Sequence, residues 1–153
     1  MSVDLDEIDR KILRLLQKDA AQSIDSLSIE VALSRNACWR RVKRFEGAGV
    51  IASRVALLSA DALGLDLQAI VQLRLRSHDA QNRKRLVQVL DTLPEVTAAF
   101  RMTGDLDYLL RVHLTDMRAY DAFYQRLTEK LELEDVSASF VMEAIKDTTE
   151  LPV

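Results

Sequence analysis

The chain has 153 residues, of which 48% are apolar and 29% are charged, with 21 basic and 24 acidic side chains. This balance excludes a disordered or low-complexity chain, and the length suits one ordinary domain or two small ones. No apolar run approaches the roughly 18 residues of a membrane helix, and the acidic start MSVDLDEID is unlike a basic signal peptide, so we expect a cytoplasmic protein with no membrane partner.

Two short predicted helices follow one another at the start of the chain. Apolar residues recur at helical spacing from Leu5 to Leu16, and carboxylates occupy the first turn, where the helix dipole favours negative charge. This pattern predicts a first helix from about Asp6 to Lys18. A second helix can be capped by Ser23 or Asp25, because a serine or aspartate side chain accepts hydrogen bonds from the first turn.

A third predicted helix, capped by Ser34, is strongly basic. Residues 35–44 hold five positive charges and no acidic residue, although the net charge of the whole chain is −3. Cys38, Val42 and Phe45 share one apolar face, so the charges point away from the core. Solvated helices usually mix Glu with Lys and Arg. The missing counter-charges therefore predict a partner outside the chain, and the phosphates of double-stranded DNA would supply it.

Two helices joined by a short turn, the second one basic, predict a helix-turn-helix DNA-binding domain over residues 1–52. Asn36 and Arg40 could reach base edges, since a carboxamide suits adenine and a guanidinium suits guanine. For Cys38, the only cysteine, we favour a buried apolar role, and for Trp39 packing is favoured over a phosphate contact. The predicted DNA-binding residues are Ser34, Arg35, Asn36, Ala37, Trp39, Arg40, Arg41, Lys43 and Arg44.

The second half of the chain predicts a ferredoxin-like βαββαβ domain over residues 66–153, so the fold class is α+β. Alternating and helical patterns predict the elements in the order strand 67–76, helix 85–93, strands 96–102 and 106–114, helix 117–131 and strand 136–145. Such a domain has two helices on one face of its sheet, and we expect the bare face to form a dimer. Residues 53–65 are predicted to connect the domains through a short strand and a turn.

The loop Thr103–Asp107, with the sequence TGDLD, is the candidate small-molecule site. Gly104 allows a tight turn that exposes backbone N–H groups beside the carboxylates of Asp105 and Asp107. Such a loop can hold both ends of a free amino acid. An ordinary hairpin turn has the same composition, and the residues alone favour that interpretation. With one cysteine and two distant histidines, we expect no metal, no cofactor and no catalytic residue.

Four stretches, LDEIDRKILRLLQKDA, LSRNACWRRVKRFEGAGVI, MTGDLDYLLRV and SFVMEAIK, resemble the leucine-responsive/AsnC family of transcription regulators. The resemblance implies a helix-turn-helix, a ferredoxin-like domain that dimerises and binds a small amino acid, and assembly of dimers into tetramers or octamers. It also implies that the TGDLD loop binds the effector between dimers. The effector residues on this basis are Met102, Thr103, Gly104, Asp105, Asp107, Ser137 and Ser139.

The resemblance has finer features and one rival. The Cys38-Trp39 pair and the VALLSADALGL stretch are most similar to a branch of the family whose effector is cysteine. The family commonly has Gly in the turn before the third helix, where this chain has Ala32. The sirohaem decarboxylases resemble the same two-domain plan, so an enzyme of that type is the alternative function.

Overall fold

The computed structural model describes residues 3–153, which divide into two compact units. The first unit contains the chain up to Leu57 together with Lys146–Val153, and the second unit spans Leu58–Ile145. This division differs from the predicted domains 1–52, 53–65 and 66–153 mainly in its last segment, which packs with the first unit. None of the helices in residues 3–153 combines the length and the hydropathy that a membrane span requires.

Three helices form the first unit: α1 (Glu7–Lys18), α2 (Ile24–Glu30) and α3 (Arg35–Gly47). Each begins directly after a side chain that accepts a backbone hydrogen bond from its first turn, namely that of Asp6, Ser23 or Ser34. The helical prediction is therefore confirmed, with Asp6 as the cap and not as a helical residue. The buried core of this unit consists of Ile12, Leu13, Leu16, Leu27, Val31, Cys38, Val42 and Phe45.

The turn between α2 and α3 places Ala32 in the left-handed region, at a φ of 54°. The N–H of Leu33 donates to the carbonyl oxygen of Ser28 at 2.9 Å, which ends α2 and turns the chain toward α3. An alanine at positive φ brings its Cβ close to the backbone, a strain that glycine avoids. The structure thus keeps the backbone that suits glycine, with alanine in its place.

We expect Ala32→Gly to stabilise the chain by about 0.5–1 kcal/mol, because the relief of strain exceeds the entropy that glycine loses on folding. Ala32 is exposed, so the lost methyl group removes no packing. Urea unfolding of the wild type and the variant measures the difference. The matched control is Ala48→Gly: Ala48 is also exposed but has a φ of −88°, so glycine there should destabilise. A lower unfolding midpoint for Ala32→Gly would contradict the strain argument.

The second unit is a four-stranded antiparallel sheet with two helices. After a single 3₁₀ turn (Asp61–Leu63), its elements in chain order are β1 (Leu67–Leu75), α4 (Ala80–Leu90), β2 (Val96–Arg101), β3 (Tyr108–Leu114), α5 (Met117–Lys130) and β4 (Leu133–Phe140). The strand order in the sheet is β2-β3-β1-β4, and every neighbouring pair is antiparallel. The predicted ferredoxin-like βαββαβ arrangement is confirmed.

One face of this sheet is covered by both helices. Val71 and Leu73 of β1 and Leu110 of β3 are fully buried there and pack with Phe123 and Leu127 of α5. The residues of the other face follow from the strand register, and they mix apolar and polar side chains: Phe100, Ile70, Leu109, Gln72, Ser137 and Ser139. Dimer formation through this face stays a prediction.

Two predicted strand assignments are wrong. Residues 53–59 form no strand, because no neighbouring strand of the described chain offers them backbone hydrogen bonds. The last strand ends at Phe140 and not at residue 145, since β1, its neighbour, begins at Leu67. One further bond follows, from the N–H of Val141 to the carbonyl oxygen of Gln68 at 2.9 Å.

Candidate DNA interface and effector loop

The helix α3 buries one face and exposes the other, as its sequence predicts. Cys38, Val42 and Phe45 are 0–2% exposed. Burial raises the pKa of the Cys38 thiol, which keeps it protonated and unreactive and confirms its role as a small apolar side chain. On the opposite face Arg40 is exposed, and Trp39 is half exposed, so only part of its ring packs against the protein.

Most of the basic residues of α3 have acidic partners within the chain, and the prediction that they lack counter-charges is wrong for them. The partners lie mainly on α1 and α2, so the composition of α3 does not reveal them. Among residues 3–153, Arg40 forms no ion pair, which leaves its guanidinium available to a ligand. The ion pairs are Arg35–Asp25 (2.8 Å), Lys43–Glu46 (2.7 Å), Arg41 with Asp6 and Asp9 (2.6 Å each) and Arg44–Asp9.

Asp9 joins α1 to α3. It is 1% exposed, and its two carboxylate oxygens accept from Arg41 and from Arg44. Asp9 and Asp6 also form a capping box, in which the N–H of Asp9 donates to Asp6 Oδ1 at 2.7 Å and the N–H of Asp6 donates to Asp9 Oδ2 at 3.2 Å. The hydrogen bond from Arg41 holds the pKa of Asp6 below its usual value. The helix α3 is thus fixed to α1 by the buried carboxylate of Asp9.

The contacts of the nine predicted DNA-binding residues separate those with a structural role from those that DNA can bind. Ser34 caps α3 through a hydrogen bond from the N–H of Ala37 at 3.2 Å, so both shape the helix start. Arg41 is 26% exposed and is bound to Asp6 and Asp9, which leaves it a structural role. The ion pairs of Arg35 and Lys43 are exposed and weak, so a phosphate could replace the carboxylate.

The loop after β2 has the conformation that its sequence predicts. Gly104 has a φ of 102°, which side chains rarely adopt. The N–H of Met102 donates to the carbonyl oxygen of Asp107 at 2.8 Å and closes the hairpin. Arg74, which the sequence analysis did not single out, donates from Nε to the carbonyl oxygen of Asp105 at 2.9 Å and so fixes the loop against β1.

Asp107 already has a structural partner. Its Oδ2 accepts from the N–H of Leu75 at 2.7 Å, at the point where β1 is irregular, and its Oδ1 lies 3.5 Å from Nδ1 of His78. One carboxylate oxygen therefore supports the sheet and the other faces a side chain that is 68% exposed. Neither Leu75 nor His78 carries a sequence signal for this contact.

The predicted serine positions are separated from the loop within one chain. Ser137 lies opposite Gln72, and its hydroxyl donates to Oε1 of that residue at 3.3 Å; Ser139 lies opposite Ile70 on the same face. Because β1 lies between β3 and β4, two strand spacings, or about 10 Å, separate the serines from the start of β3. One chain does not bring the seven predicted effector residues into a single closed pocket.

Both parts of the chain match described protein families. Residues 5–52 match the winged helix-turn-helix DNA-binding family, and residues 68–151 match the Lrp/AsnC ligand binding domain. The DNA-binding transcriptional activator DecR of Escherichia coli (strain K12) is 45% identical over 150 residues, which cover 97% of this chain and 99% of DecR.

Solved structures agree with these matches. An AsnC family transcriptional regulator from Agrobacterium tumefaciens is 47% identical and superposes with a TM-score of 0.93, covering 97% of each chain. A transcriptional regulator from Neisseria meningitidis, solved as a complex with L-Met, is 38% identical with the same TM-score and the same coverage of each chain.

Proposed function

Because the chain belongs to the Lrp/AsnC family of DNA-binding transcription regulators, we propose that α3 reads operator DNA and that a small amino acid at the loop Thr103–Asp107 sets the DNA affinity. The chain is a regulator and not an enzyme, since its relatives with both domains are transcription regulators. Members of the family form oligomers. The proposed site of action is the cytoplasm, where the DNA target lies.

One observation supports the DNA-reading role above the others: Arg40 is exposed on the face of α3 opposite the core and has no ion-pair partner in residues 3–153. Asn36 is exposed one turn earlier on the same helix. Together they offer a guanidinium fork and a carboxamide, the groups that read guanine and adenine in the major groove. The chain as a whole is acidic, so affinity would come from a dimer that reads two half-sites about one helical turn apart.

The experiment that tests this function is an electrophoretic-mobility assay. The probe is the promoter region of the gene that encodes the protein, and each of the 20 proteinogenic amino acids is added in turn. We expect a specific complex whose affinity changes with a small amino acid. L-cysteine ranks first from the branch resemblance, and L-methionine follows because the Neisseria meningitidis relative was solved with it. A probe bound no more tightly than unrelated DNA would reject the proposal.

Asp107 is the proposed partner of the effector ammonium group. Asp107→Asn keeps an oxygen that can accept from the N–H of Leu75, so it removes the charge and preserves the support of the sheet. We expect this variant to bind the amino acid at least tenfold more weakly, since a charge-assisted hydrogen bond contributes about 1.5–3 kcal/mol. Calorimetry measures the binding. DNA affinity without the amino acid should change by less than about twofold, because Asp107 lies in the other unit.

The matched control for this variant is Asp105→Asn. It removes the same charge from the same loop, but the proposed contribution of Asp105 comes from its backbone N–H. Its carbonyl oxygen, which Arg74 binds, is also retained. Amino-acid binding by Asp107→Asn that equals the wild type, or losses of equal size in the two variants, would show that Asp107 has no special role.

A further inference from the structure

The segment Lys146–Val153, here called the tail, packs within the first unit. The side chain of Gln17 on α1 binds both backbone groups of Leu151: the N–H of Leu151 donates to Oε1 at 2.6 Å, and Nε2 donates to the carbonyl oxygen at 3.1 Å. Arg14, one turn earlier, donates from Nε to the carbonyl oxygen of Val153 at 2.9 Å. The Gln17 side-chain amide has both an acceptor oxygen and donor hydrogens, so it pairs with the N–H and the carbonyl oxygen of Leu151 as the backbone of a neighbouring strand would.

The tail also completes a cleft in the first unit. The cleft has a volume of about 360 Å³, and α1, residues 50–57 and the tail form its walls. Most of its lining is apolar, and Val153 packs against the buried core of the three helices. The tail is therefore packed as part of the DNA-binding unit. The apolar lining residues of the cleft include Leu13, Leu16, Ile51, Leu57, Leu151 and Val153.

By sequence, however, most of the tail belongs to the ligand-binding domain, whose match extends to residue 151. It follows β4, the strand that carries Ser137 and Ser139, after five intervening residues. The chain therefore passes between the two units twice, once after Leu57 and once after Ile145. Before the first passage, Arg54 donates to the carbonyl oxygen of Ala20 at 3.1 Å and pairs with Glu46. The second passage ends in a set of hydrogen bonds to α1.

We propose that the tail couples amino-acid binding to the DNA-binding unit, with Gln17 as the residue that holds it. This inference rests on the amino-acid response proposed above. An effector changes DNA affinity only if it binds one conformational state more tightly than another and these states also differ in their affinity for DNA. While the tail is held on α1, two chain segments connect the units and limit the positions that the DNA-binding unit can take. When the tail is released, only the segment after Leu57 still connects them. The hydrogen bonds from Gln17 and Arg14 to the tail are exposed, so the tail can be held in one state and released in the other.

The variant Gln17→Glu tests the proposal with the smallest change. Glutamate keeps an acceptor for the N–H of Leu151, but it replaces the donating amide by an oxygen that repels the carbonyl oxygen. The matched control is Lys18→Gln, which lowers the net charge by the same unit at the next position. In residues 3–153, no hydrogen bond joins Lys18 to the tail. Both substitutions are made in the full chain.

Three measurements follow: operator affinity with and without L-cysteine or L-methionine, amino-acid binding by calorimetry, and hydrogen exchange of the Leu151 amide. We expect Gln17→Glu to bind the amino acid and effector-free DNA within about threefold of the wild type, while the effector-dependent change in DNA affinity falls to less than about a third. The Leu151 amide should exchange faster. Lys18→Gln should match the wild type in all three.

Each contrary result has its own meaning. A full effector response in Gln17→Glu, together with faster exchange at Leu151, would show that the tail is released without consequence and would overturn the coupling. An unprotected Leu151 amide in the wild type would overturn it as well, and would leave the proposed function standing. A wild type whose DNA affinity responds to neither amino acid would reject the effector function together with the coupling, even if the exchange data still showed the tail bound to α1.

Discussion

Replacing Asp9 by asparagine is expected to destabilise the chain by about 2–3 kcal/mol, because removing one member of a buried charge cluster leaves the others without compensation. The Asp9 side chain is 2% exposed and serves two guanidinium groups, those of Arg41 and Arg44. Arg44 is 49% exposed and can recover some hydration, so the loss should be smaller than for a fully buried pair. Urea unfolding measures it as a lower midpoint with an unchanged slope.

Asp25→Asn provides the control for the Asp9 substitution. It removes the same charge from another carboxylate that pairs with α3, but Asp25 and Arg35 are both about two-thirds exposed. An exposed ion pair contributes little, so this variant should stay within about 0.5 kcal/mol of the wild type. Equal losses in the two variants would mean that the Asp9 cluster stabilises no more than a surface pair. Such a result would remove the argument that buried charge fixes α3.

The Asp9 substitution should also alter DNA binding in a characteristic way. It frees positive charge on Arg41 and Arg44, so affinity for unrelated DNA should rise and become more dependent on salt. Affinity for the operator should rise less or fall, since α3 is no longer fixed by its bonds to α1. The ratio of specific to non-specific affinity measures the positioning role, and a purely structural effect that merely lowers the folded fraction would reduce both affinities equally.

The sequence predicts the elements well because their signals are local. The cap at Ser34 and the first turn of α3 lie within four residues, and Cys38, Val42 and Phe45 recur at helical spacing on the buried face. Alternation along β1 and β3 gives the sheet and the buried face in the same way. Such patterns involve neighbours in the chain, so no knowledge of the fold is needed to interpret them.

The contacts that shape the site are not local, and for that reason the sequence did not reveal them. Asp9 and Arg41 are 32 positions apart, and Gln17 and Leu151 are 134 apart. Only the fold brings each pair together, because Asp9, Arg41 and Gln17 alone look like ordinary polar residues of surface helices, and Leu151 contributes only its backbone groups. The basic stretch 35–44 predicts a DNA-binding surface by an argument that is partly wrong, since most of its charges do have partners in the chain.

Arg40→Ala is expected to weaken operator binding by about 1–3 kcal/mol, the range for loss of a bidentate contact to a base. Arg40 is exposed, and in residues 3–153 it has no ion pair, so its removal should leave the stability of the chain unchanged. Filter binding or fluorescence anisotropy measures the affinity for the operator and for a matched site with one base pair changed. The variant should lose discrimination between the two sites.

The comparison that gives this result its meaning is Arg35→Ala, on the same helix. Both variants remove one exposed positive charge, but Arg35 lies at the first position of α3, where a phosphate contact in place of its Asp25 pair is the available role. Arg35→Ala should therefore weaken binding to all sequences alike, and the number of counterions released on binding should fall by about one. The ratio of affinities for the operator and the altered site should stay the same. If Arg40→Ala behaves in that same uniform way, Arg40 contacts the DNA backbone, and the base-reading role must lie elsewhere on α3, with Asn36 the next residue to test.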